Sequence, residues 1–453
     1  MTALMTALQP AAAPLPVLAR RYAEVRAATM DLVAPLSEAD CQAQSMADAS
    51  PAKWHLAHTT WFFETFCLER LEADFQPYHP AFRVLFNSYY QGVGAQHARP
   101  QRGLITRPGL AEVKAYRADV DARVLRLLRV LQDAADPERL ARLSEIVTLG
   151  LQHEQQHQEL ILTDLLHLLS CNPLAPVYRP QWPLASVAPV PLCWVNFEGG
   201  LVQTGHDAAA SEGFAFDNET PRHKTWLQPY ALANRLVTHG EWLHFMRSGG
   251  YEQPRWWLAA GWDWVQGQRI RAPLYWRQNE GGQAPTHAAW SIFTLHGLVP
   301  LDPHTPITHI SLYEADAYAA WAAAQHGLPL RLPTEAEWEH AAEPIAAQAV
   351  ASGNFVDTGA LHPVPVAQAG PGLLQMMGDV WQWTRSAYAP YPGFRAWDGA
   401  VGEYNAKFMA NQFVLRGGSC ATPRSHIRSS YRNFFPADAR WQFTGLRLAR
   451  DGG

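Results

Sequence analysis

The sequence predicts an α-helical bundle followed by an α+β domain. Three observations lead to this fold class. The first 170 residues contain long stretches in which apolar residues recur at helical spacing. A segment with six prolines follows at residues 172–193. Beyond it the stretches are short and rich in Gly, Trp, Asn and Asp, which is typical of a compact domain with many ordered loops.

The helical part divides into four long helices. Apolar spacing predicts three of them, over residues 17–36, 111–134 and 136–169. The remaining helix is predicted to begin at Ser50, an N-cap followed by Pro51 at the first helical position, and to end near residue 71. Four long helices with short or medium connections predict an antiparallel bundle over residues 1–171.

The proline-rich segment 172–193 is interpreted as an extended linker between two domains. Residues 194–453 then form the α+β domain, with one helix predicted over residues 312–326. A second helix is predicted to follow Thr334 and to end near residue 342. Thr334 and Glu337 have the spacing of a capping box, in which each side chain bonds the backbone of the other residue.

The composition narrows the functional classes. The chain has 453 residues, a net charge of −5 and only 17% charged residues, which disfavours a nucleic-acid surface or a polybasic membrane anchor. It has no apolar run long enough for a transmembrane helix, and its first 16 residues are interpreted as a frayed tail. The five cysteines are widely spaced, which argues against a disulfide framework. We therefore expect a cytoplasmic protein with no nucleic-acid or membrane partner.

A histidine pair marks a candidate metal site. The stretch QHEQQHQELILTDLLHLL, residues 152–169, places His153 and His157 four residues apart, on one face of a helix. A catalytic metal site usually has three protein ligands. The second predicted helix offers His55 and His58, and His58 is preferred because it lies closer to the aromatic run that follows. Three neutral imidazoles suit zinc, iron(II), copper or nickel, so the spacing leaves the metal open.

Local motifs along nearly the whole chain resemble one enzyme family. They are SPAKWHLAHTTWFFETF (50–66), FNSYYQGVGAQHARPQRG (86–103), HEQQHQE (153–159), FEGG (197–200), FDNETPRH (216–223), RLPTEAEWE (331–339), GDVWQWT (378–384), RGGS (416–419), RSSYRNF (428–434) and GLRLAR (445–450). In this order they resemble the ergothioneine-pathway sulfoxide synthases, or hercynine oxygenases, which are non-haem iron(II) enzymes. The resemblance implies a DinB-like four-helix bundle and a domain of the formylglycine-generating-enzyme or C-type-lectin-like fold. It also implies that His58, His153 and His157 hold iron(II).

The resemblance implies a specific reaction. Enzymes of this family join a thiol to C2 of the imidazole of Nα-trimethylhistidine (hercynine), consume O2 and form a sulfoxide. A tyrosine hydroxyl near the oxygen site would donate a proton and favour sulfoxidation over dioxygenation of the thiol to a sulfinate. Tyr89 and Tyr90 are favoured as this catalytic pair because their loop is similar to that of one branch of the family. Tyr388, in the C-terminal domain, is the alternative that another branch suggests.

Substrate-binding residues follow from the same resemblance. Gln156 and Asn433 match positions that hydrogen-bond hercynine. Arg99 and Arg102 match arginines that bind the carboxylate of the thiol substrate, a task that suits the planar guanidinium fork. Without the resemblance, two arginines in a loop rich in Pro and Gly would be interpreted as a solvent-exposed basic pair.

The residues after Asn433 predict which thiol is used. Family members that take γ-glutamylcysteine carry an aspartate two positions after this asparagine, where it can pair with the glutamyl ammonium. This chain has Phe435 there, and an apolar ring cannot pair with an ammonium group. We therefore expect free cysteine as the thiol substrate. Phe434 and Tyr388 complete the implied substrate-binding set.

Several alternatives remain at this point. Within the enzymes, they are the same reaction with γ-glutamylcysteine and an ovothiol- or selenoneine-type synthase on a shared scaffold. Formylglycine generation needs reactive cysteines near the C-terminal end, where Cys420 has no partner cysteine nearby in sequence. A non-enzymatic alternative is a metal-stabilised, lectin-like binding module, which would bind iron without oxygen-dependent turnover.

Overall fold

The computed structural model describes residues 15–133, 136–180, 182–183, 187–207, 213–279 and 287–452. The predicted N-terminal tail lies outside the described residues up to residue 14, and so does part of the predicted linker. Within the described ranges, the helices are too short or too polar to cross a bilayer.

The chain folds into two compact units. The N-terminal unit comprises Met1–Leu168 and two segments from much later in the sequence, Asp207–Ala215 and Ala396–Tyr404. The C-terminal unit comprises Leu169–His206, Phe216–Arg395 and Asn405–Gly453. The segment Ala396–Tyr404 matters for function because it brings two side chains to the candidate site in the N-terminal unit.

The four predicted long helices are all present in the N-terminal unit. In chain order its helices are α1 (Leu15–Val33), α2 (Glu38–Gln42), α3 (Ala52–Phe63), α4 (Glu69–Leu71), α5 (Phe82–Leu85), α6 (Leu110–Asp133) and α7 (Pro137–Ser170). A π-helical turn, Glu64–Leu68, joins α3 and α4 into the second long segment. The first helix ends at Val33, three residues earlier than predicted, because Pro35 cannot continue a helix.

The predicted start of α3 was wrong in one detail. Pro51 itself occupies the N-cap position, and Ser50 makes no cap hydrogen bond. Ser50 instead forms hydrogen bonds with residues that are distant in the sequence. Its backbone N–H donates to Asp164 Oδ2 at 2.8 Å, and its hydroxyl accepts from Arg102 Nη1 at 2.9 Å. A buried serine beside a helix start can therefore serve tertiary contacts that no local pattern reveals.

A buried ion network holds α7 against α1 and α6. The carboxylate of Glu154 accepts from Arg26 Nη1 at 2.8 Å, from Thr29 Oγ1 at 2.6 Å and from Arg117 Nη2. Burial alone would raise the pKa of Glu154, but the guanidinium groups of Arg117 and Arg26 bring it down to about 2. Losing one partner would leave a buried charge unpaired, so the network fixes the position of the α7 turn that carries His153.

The C-terminal unit is a mixture of short strands and helices. Its strands are β1 (Trp194–Phe197), β2 (Gly200–Thr204), β3 (His223–Leu227), β4 (Tyr230–Ala233), β5 (Trp276–Gln278), β6 (Trp290–Thr294), β7 (Gly297–Pro300), β8 (Leu330–Arg331), β9 (Trp381–Ala387), β10 (Phe413–Arg416), β11 (Asn433–Phe435), β12 (Thr444–Gly445) and β13 (Ala449–Asp451). Its helices are α8 (His239–Arg247), α9 (Ala259–Gln268), α10 (Leu312–His326), α11 (Glu335–Ala342) and α12 (Ala346–Ser352). The α+β class predicted for this part is confirmed.

Two four-stranded sheets organise this unit, in the orders β1-β4-β13-β8 and β11-β10-β9-β12. All their pairings are antiparallel except that of β12 with β9. The predicted helix over residues 312–326 is confirmed by α10. The predicted capping box is confirmed at α11, where Thr334 and Glu337 each bond the backbone of the other. Local chemistry therefore determines where α11 begins.

Candidate metal centre

Three buried histidines converge in the N-terminal unit. One ring nitrogen from each of His58, His153 and His157 lies within 4.8 Å of the others. His153 and His157 are one turn apart on α7, with ring centroids 4.6 Å apart, as their spacing predicts. His58 on α3 completes the group, with its ring 5.0 Å from that of His153 and 4.7 Å from that of His157.

The three rings are oriented to bind an ion. His58 Nδ1 donates to the backbone carbonyl of Phe86 at 2.6 Å, so Nε2 of this ring carries the lone pair. That Nε2 lies 3.2 Å from Nε2 of His153. Two such nitrogens, joined by a third from His157, form the donor set that first-row divalent metals prefer. The residues present therefore fit a metal ion.

The surroundings keep these histidines neutral. Burial lowers the pKa of His153 to about 3, and burial lowers the pKa values of His58 and His157 well below the ordinary histidine value. The rings of Trp54 and Trp61 stack on His58, at 4.6 and 5.4 Å. A metal ligand must be deprotonated at its binding nitrogen, so neutral imidazoles are ready to bind at neutral pH.

Tyr89 and Tyr90 lie side by side in the loop after α5. Their ring centroids are 4.9 Å apart, and each hydroxyl affects the pKa of the other. Tyr90 is buried, with its ring 5.7 Å from Trp61, the residue that stacks on His58. Burial raises the pKa of both hydroxyls, so both remain protonated at neutral pH and can donate.

The late segment Ala396–Tyr404 supplies two groups that the sequence analysis missed. The ring of Tyr404 lies 5.6 Å from Tyr89 and 6.3 Å from His153, and its hydroxyl accepts a hydrogen bond from Gln156. The Glu403 carboxylate accepts from the backbone N–H groups of Gln91 and Gly92, at 2.8 and 2.7 Å. These bonds fix the loop directly after the tyrosine pair. More than 300 residues separate Glu403 from the loop that it bonds, so no local sequence pattern predicts these hydrogen bonds.

The two arginines of the HARPQRG loop have different environments. Arg102 is buried, with its guanidinium 3.4 Å from the ring centroid of Trp54. Among the described residues its Nε has no acceptor, and burial together with Arg99 lowers the pKa of Arg102 to about 9. Arg99 is exposed and donates to the backbone carbonyl of Asp48. A solvent-exposed basic pair therefore describes Arg99 but not Arg102.

The remaining predicted substrate residues lie together in the C-terminal unit. Tyr388 is buried, its ring stacks on Phe434 at 4.0 Å, and its hydroxyl accepts from Asn218 Nδ2 at 2.9 Å. Asn433 and Phe435 belong to the same strand as Phe434, β11, and all three are half-buried. The Tyr388 hydroxyl thus serves a hydrogen bond within its own unit.

Known proteins are similar to this chain over nearly its whole length. The DinB superfamily pattern matches residues 21–161, and the pattern of the sulfatase-modifying factor enzyme 1-like domain matches residues 192–452. The hercynine oxygenase of Mycobacterium tuberculosis is 32% identical over 461 residues, covering 96% of this chain and 98% of that protein. The hercynine oxygenase of Mycolicibacterium smegmatis is 31% identical with the same coverage. A formylglycine-generating enzyme of Streptomyces coelicolor is 27% identical over 57% of this chain.

Proposed function

The chain belongs to the hercynine oxygenase family, and on this premise we propose that it is an iron(II)-dependent sulfoxide synthase that couples cysteine to hercynine. Family membership makes the protein an oxygenase that acts on small molecules, with a three-histidine metal site. The identity of the metal, the choice of thiol and the role of each residue are the parts that we propose.

One observation carries the proposal. The three histidines expected to hold iron converge within 4.8 Å, in a chain that aligns over 96% of its length with hercynine oxygenases. The tyrosine pair, Tyr404 and Gln156 are interconnected around them. This arrangement supports catalysis at the N-terminal unit and favours an enzyme over a metal-stabilised binding module.

The proposed reaction balances with dioxygen as the oxidant. The imidazole C2–H bond and the thiol S–H bond break, and one C–S bond forms. One oxygen atom of O2 becomes the sulfoxide oxygen, and the other leaves as water with the two hydrogens. O2 thus accepts all four electrons, and no further reductant is required. Iron(II) held by His58, His153 and His157 would supply open coordination positions for the substrates and O2.

The chain's own residues then orient the substrates and supply a proton. The Gln156 side chain, held by Tyr404, is suited to hydrogen-bond hercynine, and Asn433 is proposed to act with it. Arg102 offers a desolvated guanidinium to the cysteine carboxylate, and Arg99 adds positive charge nearby. The hydroxyl of Tyr90 is the proposed proton donor. Gln156 and Arg102 are each held by a neighbouring side chain, Tyr404 and Ser50 respectively, which lowers the entropic cost of orienting the substrates.

Reconstitution tests the proposed function directly. The apoprotein would be loaded with iron(II) without oxygen and then given air, hercynine and cysteine, with mass spectrometry as the readout. We expect a coupled sulfoxide that requires both iron(II) and O2. A protein that binds iron yet forms no coupled sulfoxide from hercynine with either cysteine or γ-glutamylcysteine would overturn the proposed reaction, and histidine and selenium donors would then be tested as the alternatives.

The thiol choice gives a second expected result. We expect the wild type to show a higher kcat/KM for cysteine than for γ-glutamylcysteine. Phe435→Asp should shift this ratio toward γ-glutamylcysteine by about 10-fold or more, because the new carboxylate can form a charge-assisted hydrogen bond with the glutamyl ammonium. Phe435→Asn is the matched control, since it has the same shape without the charge and should not give this shift. A wild type that already prefers γ-glutamylcysteine would contradict the assignment.

We also propose a cytoplasmic location. In the part of the chain that the structure describes, which includes all five cysteines, no disulfide is formed, and Cys41, Cys67 and Cys420 are buried. A substrate used as a free thiol is available in a reducing compartment, which favours the cytoplasm.

A further inference from the structure

A hydrogen-bonded chain lies directly behind the metal-binding face of His157. His157 Nδ1 is 2.8 Å from Nδ1 of His55, the histidine that was the less favoured candidate ligand. His55 Nε2 is 3.1 Å from Asp164 Oδ2, which also accepts from the backbone N–H of Ser50. His55 and Asp164 are both buried. This series of hydrogen bonds therefore connects the start of α3 to α7 through side chains that are buried from water.

The direction of these hydrogen bonds follows from the chemistry of the last member. A carboxylate only accepts, so His55 must carry its proton on Nε2 to bond Asp164. Neutral His55 then has no proton on Nδ1. This nitrogen can therefore only accept a hydrogen bond from Nδ1–H of His157. His157 must in turn carry its proton on Nδ1, which leaves the lone pair on Nε2. One carboxylate thus determines which nitrogen of His157 can bind a metal ion.

We propose that His55 and Asp164 are positioning residues that hold His157 in its metal-binding tautomer and orientation. The inference rests on the metal site of the proposed function. His58 is held differently, since its Nδ1 donates to the Phe86 carbonyl, and among the described residues Nδ1 of His153 has no hydrogen-bond partner. Groups behind a metal-binding histidine commonly contribute 10–100-fold to metal affinity, so the pair should affect binding without touching the ion.

Zinc affinity of the full-length protein tests the inference without requiring turnover. The Kd for Zn²⁺ would be measured by chelator competition for the wild type and for His55→Leu. We expect a loss of about 10–100-fold, because the Nδ1–H of His157 would have no acceptor. His55→Gln should recover most of the affinity, since its amide oxygen can accept that proton. His167→Leu is the matched control, because His167 lies on α7, the helix that carries His157, but pairs with Ser45.

Two measurements separate positioning from a merely structural role. The melting temperature of each metal-free variant reports damage to the fold. Two-bond ¹H–¹⁵N spectra of the metal-free protein report the tautomer of His157 directly, and we expect Nδ1–H in the wild type and a changed population in His55→Leu. If His55→Leu does not fold, Asp164→Leu carries the same expectation while keeping both histidines.

Specific results would overturn the inference. They are an unchanged Zn²⁺ Kd in folded His55→Leu and Asp164→Leu, or an Nε2–H tautomer of His157 in the wild type. These results do not depend on sulfoxide formation. A wild type that forms sulfoxide while the variants keep full affinity would refute the positioning role alone. A wild type without sulfoxide, but with variants that lose affinity, would refute the proposed function alone.

Discussion

His153→Ala is expected to abolish sulfoxide formation and to remove the stabilisation that metal ions give the folded protein. The substitution removes one of three nitrogens that converge within 4.8 Å, and it removes the one that faces His58 Nε2 at 3.2 Å. Metal-ion catalysis contributes several kcal/mol to lowering a barrier, so turnover should fall by about 10³-fold or more. Product would be measured by mass spectrometry after loading with iron(II) under conditions that saturate the wild type.

Thermal unfolding provides the independent readout for this prediction. An ion that binds only the folded state stabilises it, so added Fe²⁺ or Zn²⁺ should raise Tm of the wild type. The increase should be largely lost in His153→Ala, whereas the control His167→Ala should keep both the increase and the turnover. Full turnover in His153→Ala would show that this histidine is not a required ligand, and the three-histidine site would have to be abandoned.

The sequence was most informative where function depends on local spacing. His153 and His157 share a helix face because they are one turn apart, and the cap at Thr334 depends on residues three apart. Helix periodicity alone could not distinguish His58 from His55 as the third ligand. Every residue of α3 is buried, so this helix has no polar outer face that would mark one of the two histidines as pointing away from the site. In the structure, His58 joins the convergent group while His55 lies behind His157. The packing of α3 against α7 therefore decides which histidine joins the metal-binding group and which one supports His157.

The features that the sequence analysis missed all join distant parts of the chain. Glu403 and Tyr404 reach the tyrosine loop from a segment more than 300 residues away. The Ser50 backbone bonds Asp164, a contact that replaces the predicted local cap. Asp164 could have been noticed, because it lies seven residues after His157 and thus on a similar face of α7. Its partner, His55, lies on α3, and the packing of two helices against each other cannot be inferred from the residue spacing within one helix.

Tyr90→Phe is expected to divert most turnover from the sulfoxide to cysteine sulfinate. Tyr90 is buried, and its ring lies 5.7 Å from that of Trp61, which stacks on His58, so Tyr90 lies near the three-histidine group. Burial raises its pKa, which keeps that proton in place at neutral pH. General acid groups contribute about 10²–10⁴-fold, so the product ratio should change by at least about 10-fold. The ratio would be measured by mass spectrometry at saturating hercynine and cysteine, together with O2 consumption.

Comparison among the tyrosines makes the assignment specific. Tyr89→Phe should shift the product ratio less than Tyr90→Phe, because it removes only a neighbouring hydroxyl and leaves the Tyr90 hydroxyl in place. Tyr388→Phe is the discriminating control, since its hydroxyl accepts from Asn218 within the C-terminal unit. Sulfinate production in Tyr388→Phe, with unchanged sulfoxide in Tyr90→Phe, would move the proton donor to the C-terminal unit. Loss of O2 consumption in Tyr90→Phe would instead show that the hydroxyl is needed before the two products diverge, and the role as product-determining donor would be rejected.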